Sequence, residues 1–164
     1  MDKSSAHLKE AFAGESQANR KYLAFAARDD REGYPQVARL FRAAAEAETI
    51  HALNHLRALQ GIKSTAENLQ EALAGEVAEF EDMYPGMIAD ARAEGHKEAE
   101  RTFHFANEVE KIHARLFQKA LETMAAKELV EIFVCPVCGY TVEQEPPDNC
   151  PVCNAKQKVF RRIE

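Results

Sequence analysis

Residues 45–55 read AEAETIHALNH. Glu48 is followed by His51 three positions later and by His55 seven positions later, so on a helix the three lie along one stripe. The other residues of that stripe are apolar, so a carboxylate and two imidazoles point toward an expected hydrophobic core. An unpaired buried carboxylate costs several kcal/mol or takes up a proton, so this stripe needs a compensating partner.

The composition is that of an ordinary soluble globular protein: 164 residues, 46% apolar and 29% charged, with a net charge of −6. We expect no general nucleic-acid or acidic-membrane partner, because phosphate binding needs a clustered basic surface. No apolar run approaches the length of about 18 residues that a membrane span needs. The start, MDKSSAHLKE, lacks the apolar stretch of a secretory signal. A cytoplasmic location is therefore expected.

Breaker residues divide the first 128 residues into four long helical stretches, with predicted bounds near 5–30, 35–61, 64–94 and 96–127. Pro35 suits a first helical turn, and Gly61 suits a helix stop. The sequence STAE at 64–67 has the form of a capping box. Pro85 is expected to kink the third helix. Four helices with short connections predict a helix bundle.

The four helices repeat as two pairs. EAFAGE at 10–15 matches EALAGE at 71–76 with an offset of 61 residues. The second and fourth helices match with an offset of 62, so that Glu48 and His51 correspond to Glu110 and His113. The same repeat places Glu15 and Glu76 on matching apolar stripes. Glu79 lies on the stripe of Glu76, whereas its counterpart in the first helix is Ala18.

The predicted core cluster therefore contains five carboxylates and two imidazoles: Glu15, Glu48, His51, Glu76, Glu79, Glu110 and His113. These stripes contain no lysine or arginine, so two divalent or trivalent metal ions are the expected counter-charge. Carboxylate and imidazole ligands suit iron or manganese, and zinc less specifically. One Glu from each of two helices with Glu-x-x-His from each of the other two is the pattern of di-iron carboxylate bundles.

Three further residues lie close to the predicted cluster. His55 is on the core stripe, but its repeat counterpart is Phe117, which favours a supporting or core histidine over a metal ligand. Tyr22 and Tyr84 each lie within about two turns of a cluster glutamate. Both tyrosines are expected to pack in the core, where a hydrogen bond to that glutamate is within reach.

A short four-cysteine domain follows the helices, which gives predicted domains of 1–130 and 131–164. It contains all four cysteines of the chain, as Cys135-x-x-Cys138 and Cys150-x-x-Cys153, preceded by the β-prone residues 132–134. A domain this short needs a staple to fold. Four thiolates with this spacing accept either zinc, which would be structural, or a single iron, which would carry one electron at a time.

The chain resembles the rubrerythrin family over essentially its whole length. The resemblance rests on AGES, ETIHALNH, GEVAEFEDMYPGM and NEVEKIHARLF in the helices and on CPVCGY and CPVCNA in the tail. It implies an all-α ferritin-like four-helix bundle with a small C-terminal β-rich rubredoxin-like domain. It also implies a non-haem di-iron centre and Fe(Cys)4, with zinc possible as a substitute for the thiolate-bound iron.

The resemblance also implies roles for individual residues. Glu48 and Glu110 would bridge the two irons. Glu15 would bind one iron, and Glu76, with His113 beside it, would bind the other. Glu79 and His51 would exchange as ligands of one iron on reduction. The activity that the resemblance implies is NAD(P)H-linked reduction of hydrogen peroxide to water in oxidative-stress defence. The electrons would be delivered by a separate reductase or rubredoxin. A ferroxidase or iron-handling protein, and a non-enzymatic module with a zinc ribbon, are the alternatives.

The connection between the second and third helices predicts a domain-swapped homodimer. In a ferritin-like bundle these helices run parallel, so their connection must return along the bundle by about 35 Å. The obvious break at 61–64 reaches only about 14 Å. We therefore expect helices one and two of one chain to complete a site with helices three and four of another. Unwinding of helix ends to form a crossover is the alternative.

Overall fold

A computed structural model of the chain describes residues 2–164. The structure divides into two compact units, the first ending at Lys63 and the second beginning at Ser64. Among the described residues, no helix is both long and apolar enough to cross a bilayer.

The first unit is a pair of helices, α1 (Lys3–Glu32) and α2 (Pro35–Ala58). The Asp2 side chain caps α1 by accepting a hydrogen bond from the Ser5 N–H at 2.8 Å. Gly33 ends α1 in the left-handed conformation with φ +83°, and Pro35 then starts α2. Buried Ala26, Ala38 and Ala45 lie in this unit. Their small side chains allow the two helices to approach closely.

Helix α2 ends earlier than predicted, at Ala58, and the left-handed residue after it is Gln60 (φ +54°) and not Gly61. The Gln60 N–H donates to the Arg57 carbonyl and the Gly61 N–H to the Leu56 carbonyl, which is the Schellman pattern of helix termination. A Cβ on Gly61 would lie 2.4 Å from the end of the Leu56 side chain, so a larger residue there would displace that side chain.

The second unit begins with α3 (Thr65–Ala78), whose capping box between Ser64 and Glu67 is present as predicted. A π-helical turn (Glu79–Met83) joins α3 directly to α4 (Tyr84–Ala93). Helix α5 (Lys97–Thr123) and a 3₁₀ turn (Met124–Ala126) follow. Both α3 and α4 pack against α5. The α-helical part of the last helix therefore ends four residues before the predicted bound of 127.

A three-stranded antiparallel sheet completes the second unit. Its strands are β1 (Ile132–Val134), β2 (Thr141–Glu143) and β3 (Arg161–Ile163), in the order β2-β1-β3. Phe133 on the central strand lies opposite Val142 on one side and Arg162 on the other. Tyr140 and Phe160 pack edge to face beside this sheet, with ring centroids 6.3 Å apart.

The π-helical turn explains why the repeat has two offsets. Before the turn the two halves match at 61 residues, and after it they match at 62: Tyr22 with Tyr84, and left-handed Gly33 with left-handed Gly95. A π turn holds one residue more than the α-helical path, so the second half has a one-residue insertion between Glu76 and Tyr84. The turn lies just before Pro85, where the sequence predicted a kink.

The end of helix α1 depends on the left-handed conformation of Gly33. Substitution of Gly33 and of Gly86 by alanine should therefore have opposite effects on stability. Gly33→Ala should lower the free energy of unfolding by about 1 kcal/mol, because φ +83° strains any residue with a Cβ. Gly86→Ala, within α4 and with nothing within 4 Å of the added Cβ, should raise it by about 0.5–1 kcal/mol. Urea unfolding followed by circular dichroism measures both. Equal effects of the two substitutions would contradict the assigned conformations.

Candidate metal centres

The first unit contains one carboxylate–imidazole cluster. Glu15 on α1 meets Glu48 and His51 on α2, and one ligand atom from each lies within 4.8 Å of the others. His51 Nδ1 is 2.9 Å from Glu48 Oε2. The three-residue spacing places both side chains on one face of α2. The His51 side chain is 53% exposed and the Glu48 side chain only 18%.

The second unit contains the repeat-related cluster. Glu76 on α3 meets Glu110 and His113 on α5, again with ligand atoms within 4.8 Å of one another. His113 Nδ1 lies 2.7 Å from Glu110 Oε2 and 3.6 Å from Glu76 Oε2. These three side chains are between 14% and 29% exposed, so His113 is held more deeply than His51.

The electrostatics of the second cluster favour a bound cation. Burial raises the pKa of the Glu76 carboxyl above its ordinary value, and a hydrogen bond with Glu110 raises it further, while His113 acts in the opposite direction. Two carboxylates that must share a proton when alone can both ionise beside a cation. Their oxygens, with an imidazole nitrogen, form a donor set suited to iron or manganese. The residues of the second cluster therefore fit the iron or manganese ion that the sequence pattern predicts.

Glu79 and the three supporting residues occupy different positions. Glu79 starts the π-helical turn and is not among the three residues of the second cluster. The pKa of the Tyr84 phenol is raised by burial and then by the negative charges of Glu79, Glu110 and Glu76. Tyr22 packs 5.7 Å from Phe41, and Tyr84 packs 6.4 Å from Phe103, its repeat equivalent. His55 is half-buried on α2.

The four cysteines form a third centre. Cys135 Sγ lies 3.6 Å from Cys153 Sγ, and Cys138 Sγ lies 3.5 Å from Cys150 Sγ. A tetrahedron with metal–sulfur bonds of about 2.3 Å has edges of about 3.8 Å, close to these separations, whereas a disulfide would need about 2.05 Å. All four thiols are free and their sulfurs converge within 4.8 Å. The arrangement fits one tetrahedral metal ion.

Two matching turns hold these cysteines. The Gly139 N–H donates to the Cys135 carbonyl, and the Asn154 N–H donates to the Cys150 carbonyl, both at 2.9 Å. Gly139 and Asn154 follow the second cysteine of each pair and both have positive φ, which glycine and asparagine tolerate best. Burial opposes ionisation of Cys135, but hydrogen bonds from the backbone N–H groups of Val137 and Cys138 lower its pKa below the ordinary thiol value.

One contact near the second cluster was not predicted. His113 Nε2 lies 3.0 Å from the hydroxyl of Thr141, the first residue of β2. The Thr141 hydroxyl also lies 3.0 Å from the Gly139 carbonyl, to which it donates. No periodicity or motif in a single sequence points to this residue, because its role depends on how the strand packs on α5.

Comparison with known families gives two matches. Residues 7–121 match the family described as rubrerythrin, and residues 133–161 match the rubredoxin-like domain of rubrerythrin. Together these matches include every residue of the three clusters. They confirm the predicted fold class, a ferritin-like helical bundle with a small β-rich rubredoxin-like domain.

Individual relatives agree with these matches. The chain is 40% identical to rubrerythrin-2 of Clostridium acetobutylicum, with 94% of this chain and 93% of the relative covered. It is 34% identical to nigerythrin of Nitratidesulfovibrio vulgaris, covering 94% and 83%. Among solved structures, nigerythrin in a mixed-valence state matches with a TM-score of 0.60 and 33% identity, covering 99% of this chain and 88% of that one.

Glu110 and Glu108 provide a matched test of the second cluster. Glu110→Ala should remove iron from the carboxylate site, because it deletes the acid closest to His113, and should leave the thiolate-bound iron in place. Glu108→Ala removes a carboxylate that pairs with Lys111 at 2.6 Å and should keep the full iron content. Metal analysis, with the absorbance of the thiolate-bound iron as the internal reference, measures the difference. Full iron content in Glu110→Ala would exclude this assignment.

Proposed function

The chain belongs to the rubrerythrin family and has its C-terminal rubredoxin-like domain, and from this premise we propose that it is a peroxidase that reduces hydrogen peroxide to water. Because the chain belongs to this family, its cofactors are a non-haem di-iron centre and one iron in Fe(Cys)4. The observation that carries the proposal is the packing of the four-cysteine domain on α5, the helix that holds Glu110 and His113. Electron delivery to a metal centre requires such proximity.

The proposed iron ligands are those of the two carboxylate–imidazole clusters together with Glu79. Glu48 and Glu110 are proposed to bridge the irons, with Glu15 on one iron, and Glu76 and His113 on the other. When bound, the iron pair would supply two electrons for cleavage of the O–O bond, and the four cysteines would hold an iron that restores those electrons one at a time. The carboxylates balance the positive charge of the oxidised centre.

The two histidines differ in a way that supports the proposed ligand exchange between His51 and Glu79. His113 is fixed from two sides, by Glu110 at Nδ1 and by Thr141 at Nε2. His51 has a described hydrogen bond only to Glu48 and is 53% exposed, so its ring can turn with little loss of packing. Glu79 begins the π-helical turn, a feature frequent at functional sites.

Tyr84 is the proposed proton and hydrogen-bond donor beside this centre. Burial and the three neighbouring carboxylates raise the pKa of its phenol, so the hydroxyl keeps its proton at neutral pH. The phenol is proposed to donate a hydrogen bond to one of these carboxylates. It can also donate to an oxygen of bound peroxide.

The electron supply and location of the protein follow from the same proposal. Electrons are proposed to enter at the thiolate-bound iron from an external rubredoxin or an NAD(P)H-linked reductase. The working domains are then residues 1–130, which hold the di-iron ligands, and residues 131–164, which receive electrons. A cytoplasmic site of action in oxidative-stress defence fits these soluble donors.

The protein is further proposed to act as a domain-swapped homodimer. The part of α2 after Glu48 and the part of α3 before Glu76 are together about 31 Å long. To bring both glutamates to one site within a single chain, the connection between the helices would have to span this distance. The connecting residues 59–64 reach about 25 Å when fully extended, and the Schellman turn and the capping box already use most of that length. The shortfall favours α1 and α2 of one chain completing the site with α3, α4 and α5 of another.

The peroxidase proposal predicts the behaviour of the reduced protein. Purified protein should be red from its thiolate-bound iron, and dithionite should bleach it. Hydrogen peroxide should then restore the colour faster than oxygen does, without accumulation of iron mineral. Glu110→Ala should keep the colour change with dithionite but lose the fast reaction with peroxide. A colourless protein with one zinc per chain would exclude electron transfer, and mineral formation would indicate a ferroxidase instead.

The swapped dimer predicts complementation between two inactive variants. Glu15→Ala and Glu110→Ala each damage every site of their own homodimer. In a swapped heterodimer, one site receives both substitutions and the other receives neither. Random mixing by co-expression should therefore restore about a quarter of the peroxidase sites. An unswapped dimer would restore none, which iron content and activity of the co-expressed protein would reveal.

A further inference from the structure

The positive charges of the four-cysteine domain are all close to its end. Residues 131–155 contain four acids and no lysine or arginine. Residues 156–164 contain a single acid and four cations: Lys156, Lys158, Arg161 and Arg162. The chain as a whole has a net charge of −6. Residues 156–161, the basic segment, therefore form a local positive region on an acidic protein.

The cations of the basic segment are not neutralised by acids of the chain. Arg162, just outside the segment, pairs with a glutamate at 2.7 Å. Lys156 instead donates to the neutral side chain of Asn149 at 2.8 Å. Within residues 2–164, none of Lys156, Lys158 and Arg161 forms an ion pair, and all three residues are exposed. Their charges are therefore available to a partner molecule.

The basic segment lies beside both cysteine turns. Lys156 forms an antiparallel bridge with Asn149, the residue before Cys150. Arg161 pairs in the sheet with the residue before Cys135. Paired residues of antiparallel strands have Cα atoms about 4.5–5.5 Å apart, and the next Cα along a chain is about 3.8 Å further, so each cation has its Cα within about 9 Å of a cysteine Cα. A partner bound to the basic segment is therefore close to the four sulfurs.

Exposed apolar side chains accompany these cations. Val159 lies within the basic segment and is exposed. Ile163 is also exposed, and it projects to the same side of the sheet as Arg161, two positions earlier on β3. Val137, within the first cysteine turn, is exposed as well. Apolar side chains among charges of one sign suit a small, transient protein interface with a polar rim.

We propose that the basic segment is the docking surface for an acidic electron-carrier protein that reduces the four-cysteine centre. The proposal rests on the proposed function, in which electrons enter at this centre. In each encounter one electron moves from the carrier to the thiolate-bound iron, which changes from ferric to ferrous while the carrier is oxidised by one electron. No bond forms or breaks.

The charge distribution favours this partner and this face. The chain as a whole repels an acidic protein, but charges more than about 8–10 Å apart are largely screened at physiological ionic strength. At contact distance, attraction to Lys156, Lys158 and Arg161 therefore decides which face the carrier meets. An encounter that is oriented in this way brings the carrier to the cysteine turns.

Nucleic acid and anionic lipid fit the basic segment less well. The affinity for a phosphate backbone grows with the number of phosphates that are neutralised, and three cations neutralise few of them. Neither ligand exchanges electrons, so neither gives a reason for the cations to lie beside the cysteine turns. Both are nevertheless direct competitors in the test of the proposal.

Binding to a flavodoxin, a small acidic flavoprotein, tests the surface without electron transfer. Zinc-loaded full-length protein is titrated into ¹⁵N-labelled flavodoxin, and the shifts of the flavodoxin signals give the affinity. Lys158→Glu/Arg161→Glu should weaken binding about 10-fold or more at low salt and abolish its decline with added salt. The control Lys9→Glu/Lys21→Glu makes the same change in net charge on exposed residues of α1 and should stay within about twofold of wild type.

The iron-loaded protein supplies a rate measurement. Bleaching of the thiolate-bound iron by reduced flavodoxin, followed by stopped flow, should slow about 10-fold in Lys158→Glu/Arg161→Glu and change little in the control. Dithionite should bleach the iron of every variant to the same end point, because a small reductant needs no docking surface. Retention of metal by the four cysteines in each variant verifies that their domain is folded.

Three results would overturn the proposal. The first is the absence of flavodoxin binding to wild type, or equal binding and rate in wild type and Lys158→Glu/Arg161→Glu. The second is an equal loss in Lys9→Glu/Lys21→Glu, which would show that net charge and not the basic segment matters. The third is tighter segment-dependent binding of phosphatidylserine vesicles or duplex DNA than of flavodoxin. A protein that accepts electrons through the basic segment but fails to reduce peroxide would contradict only the proposed function.

Discussion

Repulsion between carboxylates on apolar helix faces limits how these helices can pack. The Glu48 and Glu110 side chains are mostly withdrawn from water, and each lies within hydrogen-bond distance of a histidine ring. Such an arrangement is tolerable when multivalent cations occupy the space between the side chains. The helix pairs can therefore be regarded as two cation-binding surfaces whose apolar residues supply the packing and whose acids supply the chemistry.

The same constraint explains what the repeated halves share, and the second half has further features of its own. Both halves keep one Glu on the first helix and Glu-x-x-His on the second, because each half must offer a complete donor set. Only the second half has Glu79, and within residues 2–164 only this half has a helix widened by a π turn. Only the second half is followed by a four-cysteine domain, which contacts His113. The two halves therefore share one set of ligands but differ in the residues around it. The additional features lie in the second half, where electrons are proposed to arrive.

Sequence reasoning succeeded where a local pattern has one physical solution. The Ser64–Glu67 capping box, the start of α2 at Pro35 and the paired Glu-x-x-His motifs all depend on residues a few positions apart. It failed at Gln60, because a glycine next to it is the better left-handed residue on propensity alone. It missed Thr141 because that contact joins residues 28 positions apart, through packing that no periodicity describes. The ligand roles of Glu79 and His51 stay predictions.

The π-helical turn determines where a gap belongs when the two halves are aligned. A gap is normally placed in a loop, since an extra residue in an α-helix would rotate everything after it by about 100°. Here the extra residue is absorbed inside a continuous helix, and Tyr84 still meets Phe103 as Tyr22 meets Phe41. An alignment of the two halves without a gap would equate Tyr84 with Leu23 and hide the structural equivalence of Tyr22 and Tyr84. The correct gap falls within the helix, beside Glu79, whose counterpart in the first half is Ala18.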